Sequence, residues 1–293
     1  MTFQDVETAR KTYLEKFQKG LFITIGLVVL AGTSLFIFGP FLALPMAVMA
    51  ISIGVIVTVF MTNKEKVAYR KAYKGYFVEQ NLKKIFSNLL YDHQKGFSPN
   101  VIRESGMMRL ANKFSSNDTV IAKYKNIAFA QADVHIIQTH TDDKGNTYDT
   151  TLFKGRYMMF EFPKKFEYRL EVVGKKFRLY QVPGKLKNRK MRKLETESTD
   201  FNHNFRIYGD DGFESFYLLA PDVIARIEDI ALRYDYKLLL GFYDNKLIVA
   251  LDDGKDAFEP AKFTRPIDEK VESKKVSEDI KVITDFVDVI LGR

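Results

Sequence analysis

The densest group of chemically reactive side chains lies in ESTDFNHNFRIYGDD, residues Glu197–Asp211. Asp200 and His203 have the types needed for an acid–base pair or a shared metal ion, with Asp210 or Asp211 as a third carboxylate. The alternative is structural: short polar side chains over 198–202 hydrogen-bond their own backbone in a turn that leads into a strand. The stretch supplies no oriented pair and no oxyanion donor. The sequence therefore favours the structural interpretation and keeps Asp200, His203 and Asp210 only as catalytic candidates.

Other catalytic motifs are missing from the sequence. It contains no GxxxxGK[ST], GxGxxG, GxSxG or HExxH pattern. Cysteine is absent, which excludes disulfides, thiolate catalysis and cysteine-ligated metals. His135 and His140 are five apart on a predicted strand, so they point to opposite faces and cannot easily share a metal. We expect no metal and no cofactor; enzymatic activity stays open but is not favoured.

An uncharged stretch of 43 residues, 20–62, dominates the N-terminal part. As one helix it would be about 65 Å long, roughly twice the thickness of a membrane's hydrocarbon core. The segment FGPFLALP interrupts it, since Gly39-Pro40 ends one helix and Pro45 suits the start of another. The sequence thus predicts a transmembrane hairpin of two helices over 20–62. A secretory signal peptide does not fit, because a second apolar run follows at once.

Basic residues flank both ends of the predicted hairpin, whereas its connecting loop carries no charge. Because Lys and Arg favour the cytoplasmic side, we expect a multi-pass protein of the bacterial cytoplasmic membrane with both termini in the cytoplasm. A re-entrant hairpin would have the same sidedness. The flanking residues are Arg10, Lys11, Lys16 and Lys19 before the hairpin, and Lys64, Lys66, Arg70, Lys71 and Lys74 after it.

Small residues recur along one face of the second predicted span. Ala43, Ala47, Ala50 and Gly54 are spaced by four, three and four, which lets another helix approach closely. The first span of the same chain is the favoured neighbour, and the seam of a homo-oligomer is the alternative.

The rest of the chain has the pattern of an α+β protein. Residues 1–19 form an amphipathic cytoplasmic segment, 63–96 a basic juxtamembrane helix, and 97–293 a cytoplasmic domain with helices packed on an antiparallel sheet. Hairpin turns are predicted at DDKGN, at Gly174-Lys175 and at Asp244-Asn245. Helices are predicted from Ser98-Pro99, from Pro221 and from about Asp268 to Leu291.

A basic loop follows the predicted Gly174-Lys175 hairpin. On a domain held at a membrane it could bind anionic lipid, each cation near the surface contributing about 1 kcal/mol; a solvated loop is the alternative. Nucleic acid is not expected as a partner, because the loop lacks interleaved aromatic residues. The predicted lipid-binding residues are Lys185, Lys187, Arg189, Lys190, Arg192 and Lys193.

Three stretches resemble a bacterial family known as domain of unknown function 3137. They are LFKGRYMMFEFPKKF, LETESTDFNHNFRIYGDDGFESFYLLAPDVIARI and LLGFYDNKLIVAL. The resemblance implies a small integral membrane protein with one cytoplasmic domain, and it implies no activity, cofactor or catalytic residue.

The sequence favours a membrane-anchored cytoplasmic interaction or regulatory module. It would contact the bilayer through residues 20–62 and a protein partner in the membrane. Two alternatives stay open: a hydrolase acting on a membrane-associated substrate through Asp200, His203 and Asp210, and a domain that senses anionic lipid through 185–193.

Overall fold

A computed structural model describes residues 1–163, 165–166, 168–179, 191–210 and 219–291. The chain divides into two compact units. The first comprises Met1–Asn81 and Pro260–Val276, and the second comprises Leu82–Glu259 and Ser277–Arg293.

The first unit is built on two long helices, α1 (Phe3–Phe38) and α2 (Pro40–Tyr73). They pack side by side as an antiparallel pair, with Thr24 of α1 facing Thr58 of α2. Gly39 between them has a φ of 69°, a left-handed conformation that glycine adopts without strain. The helical hairpin has its predicted break, but α2 begins at Pro40 and contains Pro45. Proline suits this first position, because the N–H that it lacks would have no helical partner there.

The helical structure after α2 ends earlier than the spacing of apolar residues predicts. A π-helical segment (Lys74–Glu79) and α3 (Gln80–Ile85) are followed by a strand, β1 (Ser87–Asp92). The helical prediction to about Gln94 is therefore wrong after Ile85. Pairing of β1 with a neighbouring strand overrides the local helical spacing, as tertiary contacts often do.

The second unit contains a sheet in which the nine described strands all pair antiparallel, confirming the predicted α+β class. Its spatial order is β1-β2-β3-β4-β9-β8-β5-β7-β6. The remaining strands are β2 (Lys113–Tyr124), β3 (Ile127–Thr141), β4 (Thr147–Glu161), β5 (Leu170–Gly174), β6 (Arg192–Leu194), β7 (Phe205–Gly209), β8 (Leu238–Tyr243) and β9 (Lys246–Leu251).

Two of the three predicted hairpins form as expected. DDKGN joins β3 to β4, and Asp244-Asn245 joins β8 to β9 with Asp244 at a φ of 50°. The hairpin predicted at Gly174-Lys175 is wrong. The strand before this turn, β5, pairs with β7 on one side and β8 on the other, so it has no free edge for the residues that follow.

Four further helices complete the described structure: α4 (Pro99–Ser105), α5 (Thr199–Asn204), α6 (Pro221–Arg233) and α7 (Glu269–Leu291). The starts of α4 at Pro99 and of α6 at Pro221 confirm the predictions from proline, and Gly106 follows the last residue of α4 with a φ of 64°. The first eight residues of α7 belong to the first unit and the others to the second. One face of the sheet is part of a buried apolar core that includes Val134, Tyr157, Leu239 and Ile248, with Ile102 of α4.

Candidate functional site

Small residues line the interior of the α1–α2 hairpin. A methyl group added at Gly54 would lie 2.6 Å from the side chain of Thr24, and one added at Gly20 would lie 2.6 Å from that of Thr58. Ala50 is also buried. Part of the predicted small-residue seam therefore packs against the first helix of the same chain, which is the favoured one of its two interpretations.

Three hydroxyl groups in the uncharged part of the two helices are satisfied by the backbone of their own helix. Thr24, Ser52 and Thr58 each donate to the carbonyl oxygen four residues earlier, at 2.8 to 2.9 Å. Such bonds satisfy these three hydroxyl donors without water. At these three positions the hairpin meets the condition that a non-aqueous environment sets for polar groups.

The exterior of the hairpin is apolar and exposed. Phe41 is 90% exposed, Phe60 is 86% and Phe22 is 72%, values that are unusual for large apolar side chains on a soluble protein. Other exposed residues of both helices are Leu21, Ile23, Ile25, Val29, Leu30, Leu44, Val48, Met49, Ile51, Ile53, Val55, Ile56 and Val59. A shallow groove of about 760 Å³ runs along α2, lined by Val55, Ile56, Val59 and Phe60, with Asn63 and Lys64 at its polar end.

Within the described residues, one helical stretch is long and apolar enough to cross a membrane. It is Leu44–Ile85, which counts the π-helical segment and α3 together with α2. Its most apolar 18 residues have a mean hydropathy of 2.4, and 11% of them are buried. This finding rests on length and composition alone, so a second crossing helix stays a prediction.

The charged end of the hairpin is held in a defined structure by residues 260–276 of the same unit. Arg10 is buried, donates from Nε to the Glu7 carboxylate at 3.0 Å and donates from Nη1 to the Phe263 carbonyl at 2.9 Å. Tyr69 donates to the Ala261 carbonyl at 2.8 Å, and Tyr73 donates to Glu272 at 2.5 Å. Burial, and then the Glu272 carboxylate, raise the pKa of Tyr69.

The described residues of the stretch Glu197–Asp211 form a capped helix with its local hydrogen bonds, followed by β7. Ser198 caps α5 by accepting the Phe201 N–H at 3.2 Å, so residues 199–204 are a short helix where the sequence predicts a turn. Asn202 accepts the Thr196 N–H at 2.8 Å and donates back to the Thr196 carbonyl at 2.6 Å. Phe201 is buried against Phe205, with ring centroids 4.4 Å apart.

The three catalytic candidates are not brought together. Asp200 and His203 are exposed on α5, and no hydrogen bond or ion pair between them is seen in the described structure. Asp210 follows β7, whose five residues place it about 16 Å further along the strand. There its Oδ1 accepts the Arg169 N–H at 3.0 Å, which ties the ends of β5 and β7 together.

The predicted lipid-binding loop falls mainly outside the described residues, which exclude 180–190. Lys185, Lys187, Arg189 and Lys190 lie in that interval. Arg192 and Lys193 are described, and they are exposed on β6, an edge strand of the sheet. Lys193 lies 3.4 Å from Glu195.

A buried polar cluster lies in the second unit, formed by Asp118, Gln131, Asp133, Arg156 and Asp279. Each of the first four is at most 1% exposed. Asp133 of β3 is directly opposite Arg156 of β4, and its Oδ2 accepts the Ala257 N–H at 2.6 Å. Arg156 donates to both the side chain and the carbonyl oxygen of Asp279 in α7, the side-chain contact being 2.5 Å. The cluster therefore joins the sheet to α7 and to the segment after β9.

Asp118 enters the buried polar cluster through an irregularity in β2. The register of β2 on β3 shifts between Asn117 and Val120, and Asp118 has a φ of 57°. Bulges of this kind redirect a side chain. Tyr91 of β1 donates to Asp118 Oδ1 at 2.7 Å, and Asn117 donates to Oδ2 at 2.6 Å. Burial, and then the Asp118 charge, raise the pKa of Tyr91.

The local sequence pattern does not predict this cluster, although it contains one signal for it. In β3, Gln131 and Asp133 alternate with Ala130, Ala132 and Val134, and the same alternation places them on the face of the buried Ile127 and Phe129. Polar residues at inward positions of a strand need partners. The identity of those partners, on β4 and α7, cannot be read from the local pattern.

Residues 151–291 match the model of one protein family. That family is DUF3137, described as Protein of unknown function. The match covers just under half of the chain and confirms the predicted resemblance over these residues. The matched residues include Arg156 and Asp279 of the buried polar cluster and the stretch Glu197–Asp211. The match says nothing about a membrane.

Two other comparisons add little to the DUF3137 match. The crystal structure of the mycobacterial trehalose monomycolate transport factor A, TtfA, has a TM-score of 0.40 and 8% sequence identity. The similarity covers 75% of this chain and 93% of that chain; at this TM-score we draw no inference from it. No curated protein matches the chain.

Proposed function

We propose that this protein is a membrane-anchored interaction or regulatory module. The α1–α2 hairpin inserts in the bacterial cytoplasmic membrane over residues 20–62, and the sheet-containing unit works in the cytoplasm. No catalytic step is part of this proposal.

The observation that carries the proposal is the distribution of side chains in the hairpin, which is the reverse of that in a water-soluble protein. Its interior holds glycine, alanine and threonine, whereas its exterior presents phenylalanine, leucine, isoleucine and valine. In water, each exposed large apolar side chain forgoes about 1.5–3 kcal/mol of burial free energy. A bilayer supplies that burial, and close approach through small residues is a common way in which helices pack within it.

The charge distribution supports a cytoplasmic position for both ends. Lys16 and Lys19 precede the uncharged stretch, and Lys64 and Lys66 follow it. Positive residues at both ends and none in the connection favour a hairpin that enters and leaves on the cytoplasmic side.

The two rival functions have less support. For a hydrolase, the structure would have to gather Asp200, His203 and Asp210, which lie apart. For lipid sensing, most of the basic loop lies outside the described residues. Neither alternative is favoured by a specific observation.

Sidedness can be measured by single-cysteine labelling, because the natural chain has no cysteine to interfere. We would place one cysteine at Thr2, at Phe41 near the hairpin tip, or at Lys144 in the β3–β4 turn, and treat intact bacterial cells with a membrane-impermeant maleimide. Thr2→Cys and Lys144→Cys should react only after permeabilisation. Phe41→Cys should react in intact cells if the hairpin crosses fully, and should stay protected if it is re-entrant. Labelling of Lys144→Cys in intact cells would overturn the proposal.

The interaction role needs a separate experiment. Leu90 of β1 is directly opposite Ile121 of β2, and these apolar side chains are 59% and 45% exposed. Photo-crosslinking amino acids would be placed at these two positions in the full chain, in native membranes, with Asp143 in the exposed β3–β4 turn as the control position. One reproducible protein partner at the apolar pair and not at the control supports the module. Self-cross-links only, or none, would contradict it.

A further inference from the structure

The buried polar cluster has more acids than bases. Arg156 is the only buried basic side chain among the described residues of the second unit. The carboxyl groups of Asp118, Asp133, Asp253 and Asp279 interact electrostatically with Arg156 or with one another. Because Arg156 is already paired with Asp279, an ionised Asp133 would add a negative charge in a region with little water, which proteins avoid by neutralising the group.

The atoms without partners show where neutralisation would occur. Within the described residues, Oδ1 of Asp133 has no hydrogen-bond partner, and neither do Oε1 and Nε2 of Gln131 or Nε of Arg156. The side chains of Asp133 and Gln131 are fully or almost fully buried. They are two residues apart on β3, so they lie on the same face with Cα atoms about 7 Å apart, a distance that the two side chains can bridge. At contact, an unpaired carboxylate oxygen and an unpaired amide oxygen would repel each other, whereas one proton between them would join both.

We propose that Asp133 is a buried proton-binding site, protonated in the folded protein at neutral pH, with its Oδ1–H donating to Oε1 of Gln131. The step is a simple protonation: a solvent hydronium ion supplies the proton, so one of its O–H bonds breaks as the carboxyl O–H bond forms, and water is left. Oδ2 of Asp133 keeps the Ala257 N–H, and Arg156 stays paired with Asp279. This site is independent of membrane anchoring.

The charged groups around Asp133 agree with the proposal. Burial raises its pKa well above the ordinary range; Arg156 on β4 opposes this, while Asp118 on β2 and Asp256 after β9 raise the pKa further. Tyr91 on β1 is neutral at ordinary pH, because burial and Asp118 raise its pKa. From α7, Asp279 adds a negative charge that Arg156 already pairs.

A proton held only in the folded state makes stability depend on pH. The folded pKa of Asp133 is above the unfolded value, which is about 3.9. Its contribution to stability is therefore complete below the unfolded pKa and is lost as pH rises toward the folded pKa. Between the two values the folded protein holds one more proton than the unfolded chain. Each pH unit should then raise the unfolding equilibrium constant up to about tenfold.

The test uses the full chain in detergent micelles, with urea unfolding followed by pulse proteolysis from about pH 5 to about pH 9. Asp133→Asn should remove a large part of the pH dependence, because its amide donates to Gln131 at every pH. The matched control is Asp143→Asn, an exposed aspartate in the β3–β4 turn, which should keep the wild-type slope. An Asp133→Asn protein with the same slope as wild type would overturn the proposal.

A second readout does not depend on the folding of Asp133→Asn. Infrared spectra of the wild-type chain at neutral pH should show the C=O band of a protonated carboxyl, and Gln131→Met should shift that band by removing the acceptor. Spectra without the band would refute the proposal. So would stabilisation of wild type by added Na⁺, K⁺, Mg²⁺ or Ca²⁺ that Asp133→Asn abolishes, since a cation would then be the neutralising group.

Discussion

Asp279→Ala should destabilise the sheet-containing unit by about 3 kcal/mol. The variant removes the carboxylate that faces the Arg156 guanidinium at 2.5 Å and accepts the Phe258 N–H at 3.1 Å. Breaking a buried ion pair by removing one partner typically costs about 3–5 kcal/mol. We expect the lower end, because the Asp279 side chain is 19% exposed and its main-chain carbonyl still accepts from Arg156.

This prediction can be measured on the full chain by pulse proteolysis in urea. At a typical slope of about 1–3 kcal/mol per molar urea, the midpoint should fall by about 1–3 M. Asp288→Ala on the same helix is the control. Its partner Lys125 lies 2.8 Å away, and both side chains are about one-third exposed, so the loss should be at most about 1 kcal/mol.

Arg156→Met completes the comparison. If the pair is formed as described, combining Arg156→Met with Asp279→Ala should cost clearly less than the sum of the single changes. An Asp279→Ala loss equal to that of Asp288→Ala, or strict additivity with Arg156→Met, would refute the buried pair.

Three further predictions test other parts of the chain. Gly54→Leu should destabilise the helical hairpin by about 1–3 kcal/mol through overpacking, whereas Gly26→Leu, where an added side chain meets open space, should not; thermal unfolding in micelles distinguishes them. Ser198→Ala should cost about 1 kcal/mol through loss of the α5 cap, while Asp200→Asn should leave urea stability unchanged if the stretch is structural. Gly155→Ala should reduce the yield of folded protein, because its methyl group would collide with a backbone carbonyl of β9.

Elements marked by local chemistry are predictable from the sequence. Ser98-Pro99 and Gly106 bound α4, and Asp244-Asn245 joins β8 to β9, because each of these residues suits a particular backbone conformation. The partner of β5 was not predictable in this way. The local sequence predicts a hairpin between β5 and the residues that follow it. In the structure, β7 and β8, which lie further along the chain, pair with the two edges of β5.

The same distinction applies to the candidate sites. The apolar stretch 20–62 is visible in the sequence because its signal is continuous. The buried polar cluster is not, since Asp133, Arg156 and Asp279 come from three separate segments. Each is unremarkable in its own segment. Their significance depends on burial, which the long-range pairing of the sheet creates.

The two outermost strands of the described sheet have a consequence for crowding. On one side, β1 shifts register between Ser87 and Leu90 and contains Asn88 at a φ of 53°. On the other, β6 has three residues, two of them Arg192 and Lys193. Irregular, short and charged edges are poor templates for another chain's strand. If the hairpin confines many copies to one membrane plane, as we propose, these edges let the neighbours collide often without joining their sheets into aggregates.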